Sequence, residues 1–201
     1  MLTIQPVNCT LKRTATEKSS TDAMIEVIGA EFLKHGAKMV GTIRAAHHNI
    51  LPGITSDEGE GDEWPTLRER ILAADILLLG TPIWMGQPSS VAKRVLERMD
   101  AFLSETDDRG RMPSYSKVAI IAVVGNEDGA HNVTAQVAQA LNDVGWTIPA
   151  ISTCYWVGEA MGSRNFIELA ETPDKVAETA RMVAANALHL AGLLKDSPYP
   201  G

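Results

Sequence analysis

Short apolar runs alternate along the chain with stretches whose apolar positions recur at helical spacing. Residues 2–9 read as a first strand. Ser20 or Thr21 then caps a helix in which Met24, Ile25, Ile28 and Phe32 share a face, and His35-Gly36 stops it. Residues 38–43 predict a second strand. A long loop follows, with Pro52-Gly53 and an acidic run over residues 57–63, before Trp64-Pro65 opens a helix that turns Leu67, Ile71 and Leu72 to one side. The continuous run Asp75-Ile76-Leu77-Leu78-Leu79-Gly80 is that of a strand covered on both faces. Residues 88–103 predict a helix with Val91, Val95, Met99 and Phe102 as its stripe and Lys93, Arg94, Glu97 and Arg98 largely off it. Residues 118–124 repeat the buried-strand pattern, and residues 131–144 form a helix with Val133, Val137 and Leu141 inward. Residues 147–153 are the expected last strand and residues 173–194 a long closing helix.

Strands alternating with helices imply βαβ crossovers, and hence a parallel sheet with helices on both faces. Pro6 conflicts with this, because it falls inside a strand expected to be central and has no N–H for a ladder. Either the first strand is shorter than its apolar pattern, or its pairing carries a bulge. The 201 residues suit a single domain, over residues 1–201, and 45% hydrophobic with 21% charged residues is the composition of a globular chain. The net charge of −7 argues against general binding to nucleic acid, which needs surplus Lys and Arg. Two distant cysteines, Cys9 and Cys154, make neither a disulfide framework nor a metal or iron–sulfur site. With no signal-like N-terminus and no apolar run long enough to cross a bilayer, the expected setting is the cytoplasm, without membrane insertion.

Ligands of open parallel sheets bind beyond the carboxyl ends of the strands. Three loops are expected there. The first, residues 10–21, brings hydroxyls and cations to a helix N-terminus, which suits a phosphate; it equally suits a solvated loop with an N-cap serine. It matches neither GxGxxG nor GxxxxGK[ST]. The second, Thr81-Pro82-Ile83-Trp84-Met85-Gly86, offers backbone amides and an apolar surface to a flat aromatic ligand, unless Trp84 packs into a core or a subunit interface. The third, Gly125-Asn126-Glu127-Asp128-Gly129, can hydrogen-bond the edge of a heterocycle or serve as a turn.

On these three loops, the run from Ala74 to Gly86 and the following Ser90-Val91-Ala92-Lys93-Arg94-Val95-Leu96-Glu97-Arg98, the chain resembles the flavodoxin-like family of NAD(P)H-dependent FMN reductases, over nearly its whole length. The resemblance implies a doubly wound, five-stranded parallel sheet in the order 2-1-3-4-5. It places Thr10, Lys12, Ser19 and Thr21 around the FMN phosphate, and Thr81, Pro82, Ile83, Trp84, Met85 and Gly86 along the ring. Gly125, Asn126, Glu127, Asp128 and Gly129 would face its pyrimidine edge or ribityl chain. It also implies NADPH or NADH as co-substrate, a quinone, flavin or similar small molecule as acceptor, ping-pong turnover, and a homodimer or homotetramer. Many members carry cysteines after the second strand; residues 50–58 hold none, so no iron–sulfur centre is expected.

With FMN carrying the chemistry, no acid–base triad is expected. The alternative in the same fold is a flavodoxin-type electron carrier that meets a protein partner on its acidic surface. A response-regulator receiver needs an Asp where Gly80-Thr81-Pro82 stands, and Ser89-Ser90 lacks a GxSxG setting. Neighbouring His47-His48 predict no metal site, and the acidic run, without calcium-loop spacing, reads as a solvated, flexible loop.

Overall fold

A computed structural model describes residues 1–14 and 16–201; Ala15, inside the first of the three expected ligand loops, lies outside the described residues. In chain order the elements are β1 (Thr3–Asn8), α1 (Ser20–Lys34), β2 (Lys38–Met39), β3 (Ile43–Arg44), α2 (Trp64–Ala73) and β4 (Ile76–Trp84). Then come β5 (Gln87–Pro88), α3 (Ser90–Met99), β6 (Val118–Gly125), α4 (Ala130–Asp143), β7 (Thr153–Val157) and α5 (Asp174–Asp196). The sheet runs β2-β1-β4-β6-β7, all parallel, with β3 also on β1 and β5 antiparallel to β4. With β2 and β3 as two pieces of one second strand, this is the flavodoxin-like order 2-1-3-4-5.

The two-residue period of the strands splits their side chains between two cores. Val7, Leu77, Leu79, Ala119, Ile121 and Val123 meet Ile71, Val95 and Val137 of α2, α3 and α4 on one face. Ile4, Ile76, Leu78, Val118, Ile120 and Cys154 meet Met24, Ile28 and Phe32 of α1 and Val183 and Ala187 of α5 on the other. Such burial, at ~1.5–3 kcal/mol per large aliphatic side chain, is the main favourable term holding the layers together.

The first strand runs straight through Pro6, and it is the partner that yields. The Leu2 and Ile4 carbonyls accept from Lys38 and Val40 N–H at 2.9 Å, so even-numbered residues of β1 face the second strand, and so does the missing donor of Pro6. Opposite it the second strand breaks between β2 and β3. The buried Gln5 amide spans the break, its Nε2 donating to the carbonyls of Pro6 (2.8 Å) and Gly41 (3.0 Å). Gln5→Leu is therefore expected to cost about 1–2 kcal/mol in urea unfolding, the worth of a buried amide's bonds.

Four expectations need correction. The last strand is β7, not residues 147–153. Thr147 makes a lone bridge to Val118, Pro149 cannot continue the ladder, and the chain leaves the sheet, with Ile151 at φ +53°, before pairing resumes at Thr153. The expected loop of residues 81–86 is largely strand. β4 continues because β6 does, with Thr81 beside Val123 and Pro82 beside Val124. Pro82 is tolerated because its nitrogen faces the side where β1 has already ended, Gly80 O accepting the final bond from Cys9 N–H at 2.8 Å. Trp84 then pairs with Gln87 across a two-residue hairpin turn, with Met85 and Gly86 both at positive φ (52° and 72°), as a type I′ turn requires.

The acidic run is exposed at Asp57, Gly59, Glu60, Gly61 and Glu63, as expected of a solvated loop, but Asp62 departs from it. Asp62 is buried against Arg98, whose Nη2 lies 2.7 Å from its carboxylate, and it also accepts from the N–H groups of Leu51, Glu58 and Trp64. Arg98, expected off the buried stripe of α3, is fully buried. Among the described residues no helix is long and apolar enough to cross a membrane.

Candidate functional site

Four connections leave the carboxyl ends of the strands and meet around a cavity of about 290 Å³. From the β1–α1 connection, Thr10, Lys12, Ser19 and Thr21 all line it, joined by Leu11 and Ser20. Ser19 is the N-cap of α1 and forms a capping box with Asp22, its hydroxyl accepting from Asp22 N–H at 3.2 Å while the Asp22 carboxylate accepts from Ser19 N–H at 2.8 Å. The N–H groups of Ser20 and Thr21, which have no intrahelical acceptor, remain for an anion.

A carboxylate beside an anion site would ordinarily repel the ligand. Here Asp22 is neutralised by Arg44 (2.6 Å), which lies behind it at the end of β3, and receives the Asn8 amide at 2.6 Å. Burial acts to raise the Asp22 pKa, but the Ser19 N–H and hydroxyl together with the Arg44 guanidinium hold it below the usual carboxylate range. It therefore stays ionised and spoken for. Lys12 is about half exposed, its ammonium pairing with Glu17 at 3.1 Å and donating to Lys18 O at 3.2 Å.

The opposite wall is apolar. Pro82, Ile83 and Trp84 line it from the end of β4, and Trp84 remains 53% exposed. The other members of that expected group do different work. Thr81 is buried; its hydroxyl accepts from Ser89 N–H (3.1 Å) and donates to the Pro82 carbonyl (3.0 Å). Ser89 caps α3 and donates to Cys9 O at 2.6 Å, tying together β1, β4 and α3. Met85, 90% exposed, and Gly86 form the hairpin tip and do not line the cavity.

Gly125 and Asn126 line the cavity, whereas Glu127, Asp128 and Gly129 stand behind the hairpin. Glu127 Oε1 accepts from Met85 N–H at 2.8 Å. Gly129, at φ +126°, lies so close that a Cβ on it would stand 2.7 Å from Gly86 Cα. Asn132 Nδ2 fixes the same tip through Gly86 O at 2.8 Å. The third loop thus contributes two residues to the cavity and, through Glu127 and Gly129, holds the second loop in place.

The fourth connection was missed in the sequence. Trp156 at the end of β7 and residues 165–168 complete the cavity, with the Trp156 and Phe166 rings 5.5 Å apart. Met161 N–H donates to Asn126 O (2.6 Å) and Ile167 N–H to the Ser20 hydroxyl (3.3 Å), so this segment bridges the third loop and the start of α1. The available signal was Trp156-Val157-Gly158 following an apolar segment, and it was hidden by ending the last strand too early.

Both cysteines are buried and unpaired, and neither lines the cavity. Burial pushes the Cys154 thiol up to about 12 and raises that of Cys9 as well, so neither supplies a thiolate nucleophile. One cavity therefore combines a helix N-terminus ringed with hydroxyls, the Lys12 ammonium, and a wall of Ile83, Trp84, Trp156 and Phe166. A flat heterocycle carrying a phosphate fits that set of groups.

Comparison with known proteins agrees in kind. A family model described as NADPH-dependent FMN reductase matches residues 12–160. The chain is 32% identical over 203 residues to 8-demethyl-8-aminoriboflavin-5'-phosphate synthase of Streptomyces davaonensis, covering 96% of this chain and 78% of that protein. It is 35% identical over 196 residues to a Mycobacterium bovis protein named divalent metal cation transporter MntH, but spans only 28% of that protein's length. Among solved structures, that of RosB with bound intermediate OHC-RP (8-demethyl-8-formylriboflavin-5'-phosphate) superposes with a TM-score of 0.90 at 31% identity, over 100% of this chain and 83% of that one.

Proposed function

Because the chain belongs to the NADPH-dependent FMN reductase family, whose cofactor is FMN and whose co-substrate is NAD(P)H, we propose that it is an oxidoreductase that passes electrons from NADPH or NADH to a quinone, a flavin or another small acceptor. Bound FMN supplies the redox chemistry, which no side chain of the site carries. The protein's part is binding, orientation and exclusion of water. Thr10, Lys12, Ser19 and Thr21, with the first N–H groups of α1, hold the phosphate. Pro82, Ile83 and Trp84 form one wall for the ring, with Trp156 and Phe166 further along the same cavity, while Gly125 and Asn126 offer polar atoms to its edge. Thr81, Met85, Gly86, Glu127 and Gly129 act as positioning residues that fix the hairpin, and Asp128 lies outside the cavity lining. The observation that carries this reading is the presence of a helix N-terminus with free N–H groups and an aromatic wall in one cavity.

Purified protein titrated with FMN is expected to become yellow and to bind FMN at least ~100-fold more tightly than riboflavin, since the phosphate meets several charge-assisted bonds. Adding NADPH or NADH without oxygen is expected to bleach the visible absorbance rapidly. A yellow protein that stays oxidised would instead be a carrier, and failure to bind FMN would end both readings.

A second reading is favoured by the similarity, over 96% of the chain, to a synthase named for making an aminoriboflavin phosphate. In it the same cavity holds a riboflavin phosphate as the substrate to be altered. Mass spectrometry of the flavin recovered after turnover separates the two, because a cofactor returns with unchanged mass.

A further inference from the structure

A second recess, of about 300 Å³, adjoins the cavity and is lined by Arg13, His48, Ser90 and Arg94 over a floor that includes Ala45 and Ile50. Leu11 lines both, so the β1–α1 connection forms the partition between them. The recess is cationic in a chain whose net charge is −7. Arg94 Nη1 donates to Ile50 O at 2.9 Å, its nearest carboxylate is Glu97 at 3.9 Å, and its buried Nε has no hydrogen-bond partner. Arg13 is exposed and makes no hydrogen bond or ion pair among the described residues. His48 is engaged by Glu63 at 3.1 Å, which leaves the two guanidiniums as the recess's surplus charge. Ser90 and Val91, the first residues of α3, add a hydroxyl and the positive end of a ten-residue helix.

We infer that this recess is a second anion subsite, which takes the phosphate monoester of the molecule that meets the bound flavin. The inference rests on the reading of the larger cavity as the FMN site. Two guanidiniums, a hydroxyl and a helix N-terminus match a phosphate dianion better than a carboxylate, because three terminal oxygens can each find a donor. Lys12 and Ser19 serve the cavity on one side of Leu11, and Arg13 and Arg94 serve the recess on the other. Consecutive cations on one connection would thus address two different phosphates. The phosphate has two possible sources: the 2′-phosphate of NADPH, or the 5′-phosphate of a second flavin acting as acceptor.

Calorimetry on the FMN-loaded protein tests this without turnover, using two ligand pairs that differ only in that phosphate: 2′-phospho-ADP-ribose against ADP-ribose, and FMN against riboflavin added to the saturated holoprotein. Arg13→Gln and Arg94→Gln are each expected to weaken the phosphate-bearing member of one pair by roughly 10-fold, with the phosphate-free member little changed. Loss of discrimination in the first pair assigns the subsite to the nicotinamide dinucleotide; loss in the second assigns it to an acceptor flavin. Arg13→Gln alters an exposed, unbonded side chain and so keeps the test independent of folding. If FMN stays bound and both ratios keep their wild-type values in both variants, the subsite is overturned while the FMN reading stands. If the wild-type chain does not retain FMN, both fall.

Discussion

Replacing Arg98 by methionine is expected to destabilise the protein by about 3–5 kcal/mol, a large share of the ~5–15 kcal/mol that holds a typical domain folded. Methionine keeps the length and apolar bulk, so the loss is electrostatic. Arg98 donates through Nη1 to Leu51 O (3.0 Å), through Nε to Thr55 O (3.1 Å) and through Nη2 to Asp62 (2.7 Å), and its guanidinium lies over the Trp64 ring at 5.8 Å. Without it two carbonyls lose their donor and a buried carboxylate loses its charged partner. Urea unfolding followed by tryptophan fluorescence gives the shift in midpoint. Adding Asp62→Leu is expected to recover only part of it, because Asp62 also receives the Leu51, Glu58 and Trp64 N–H groups, which an aliphatic side chain would orphan.

The same pair sets a pH dependence. Burial acts to raise the Asp62 pKa, but Arg98 and three backbone N–H groups override it and hold the carboxyl at about 2, below its ordinary 3.8. A folded-state pKa depressed in this way gives stability that is complete above the ordinary value and disappears as pH falls through the folded one. The wild type is therefore expected to lose this contribution between about pH 4 and pH 2. Asp62→Asn is expected to have lower stability at neutral pH and a shallower slope across that window, the remainder coming from other carboxylates such as Asp22 and Asp75.

Asp62 and Arg98 also mark where the sequence stopped being readable. Four of the five strands, the helix faces and the parallel βαβ layout follow from local patterns, because continuous apolar runs such as 76–79 and 118–124 have only one comfortable place in such a sheet, whereas the strand order came from the family resemblance. A charged residue one step off a helical stripe carries no mark of burial. Its partner is 36 residues away, and only the tertiary structure brings them together. The site shows the same division. Hydroxyls before a helix and a proline-bounded Trp84 were legible as ligand-facing chemistry. Which of residues 81–86 and 125–129 line the cavity, and which brace it, depends on β6 drawing β4 onward into a hairpin. Trp156 was hidden by Pro149, which breaks the edge strand and displaces its end by several residues. Pro6 is the converse case. Read as an obstacle to a central strand, it is accommodated by a gap in the neighbouring strand and an amide at Gln5, neither of which a local pattern can show.

Gly129→Ala is expected to weaken FMN binding by about 100-fold, or ~2.7 kcal/mol, while far-ultraviolet circular dichroism stays that of the wild type. Two effects act at this position. Its backbone, at φ +126°, is one that residues with a Cβ rarely adopt, and strain of that kind costs of order 1–3 kcal/mol. The added methyl would also stand 2.7 Å from Gly86 Cα and 3.0 Å from Gly86 O, and backbone cannot swing aside as a long side chain does. Relief comes from lifting the hairpin tip, which breaks the Glu127 bond to Met85 N–H and the Asn132 bond to Gly86 O, and carries the Trp84 wall away from the ring. Both cores lie elsewhere, so the sheet and helices persist. The companion substitution Gly86→Asn separates this close approach from any general intolerance of the turn. A Cβ there meets only Asp128 O at 3.9 Å, and asparagine accepts positive φ in a type I′ turn, so FMN affinity within about threefold of wild type is expected. Quenching of flavin fluorescence on titration measures both. Equal loss in the two variants would show that the turn needs glycine for its own conformation and that the contact between Gly129 and Gly86 does not position the wall.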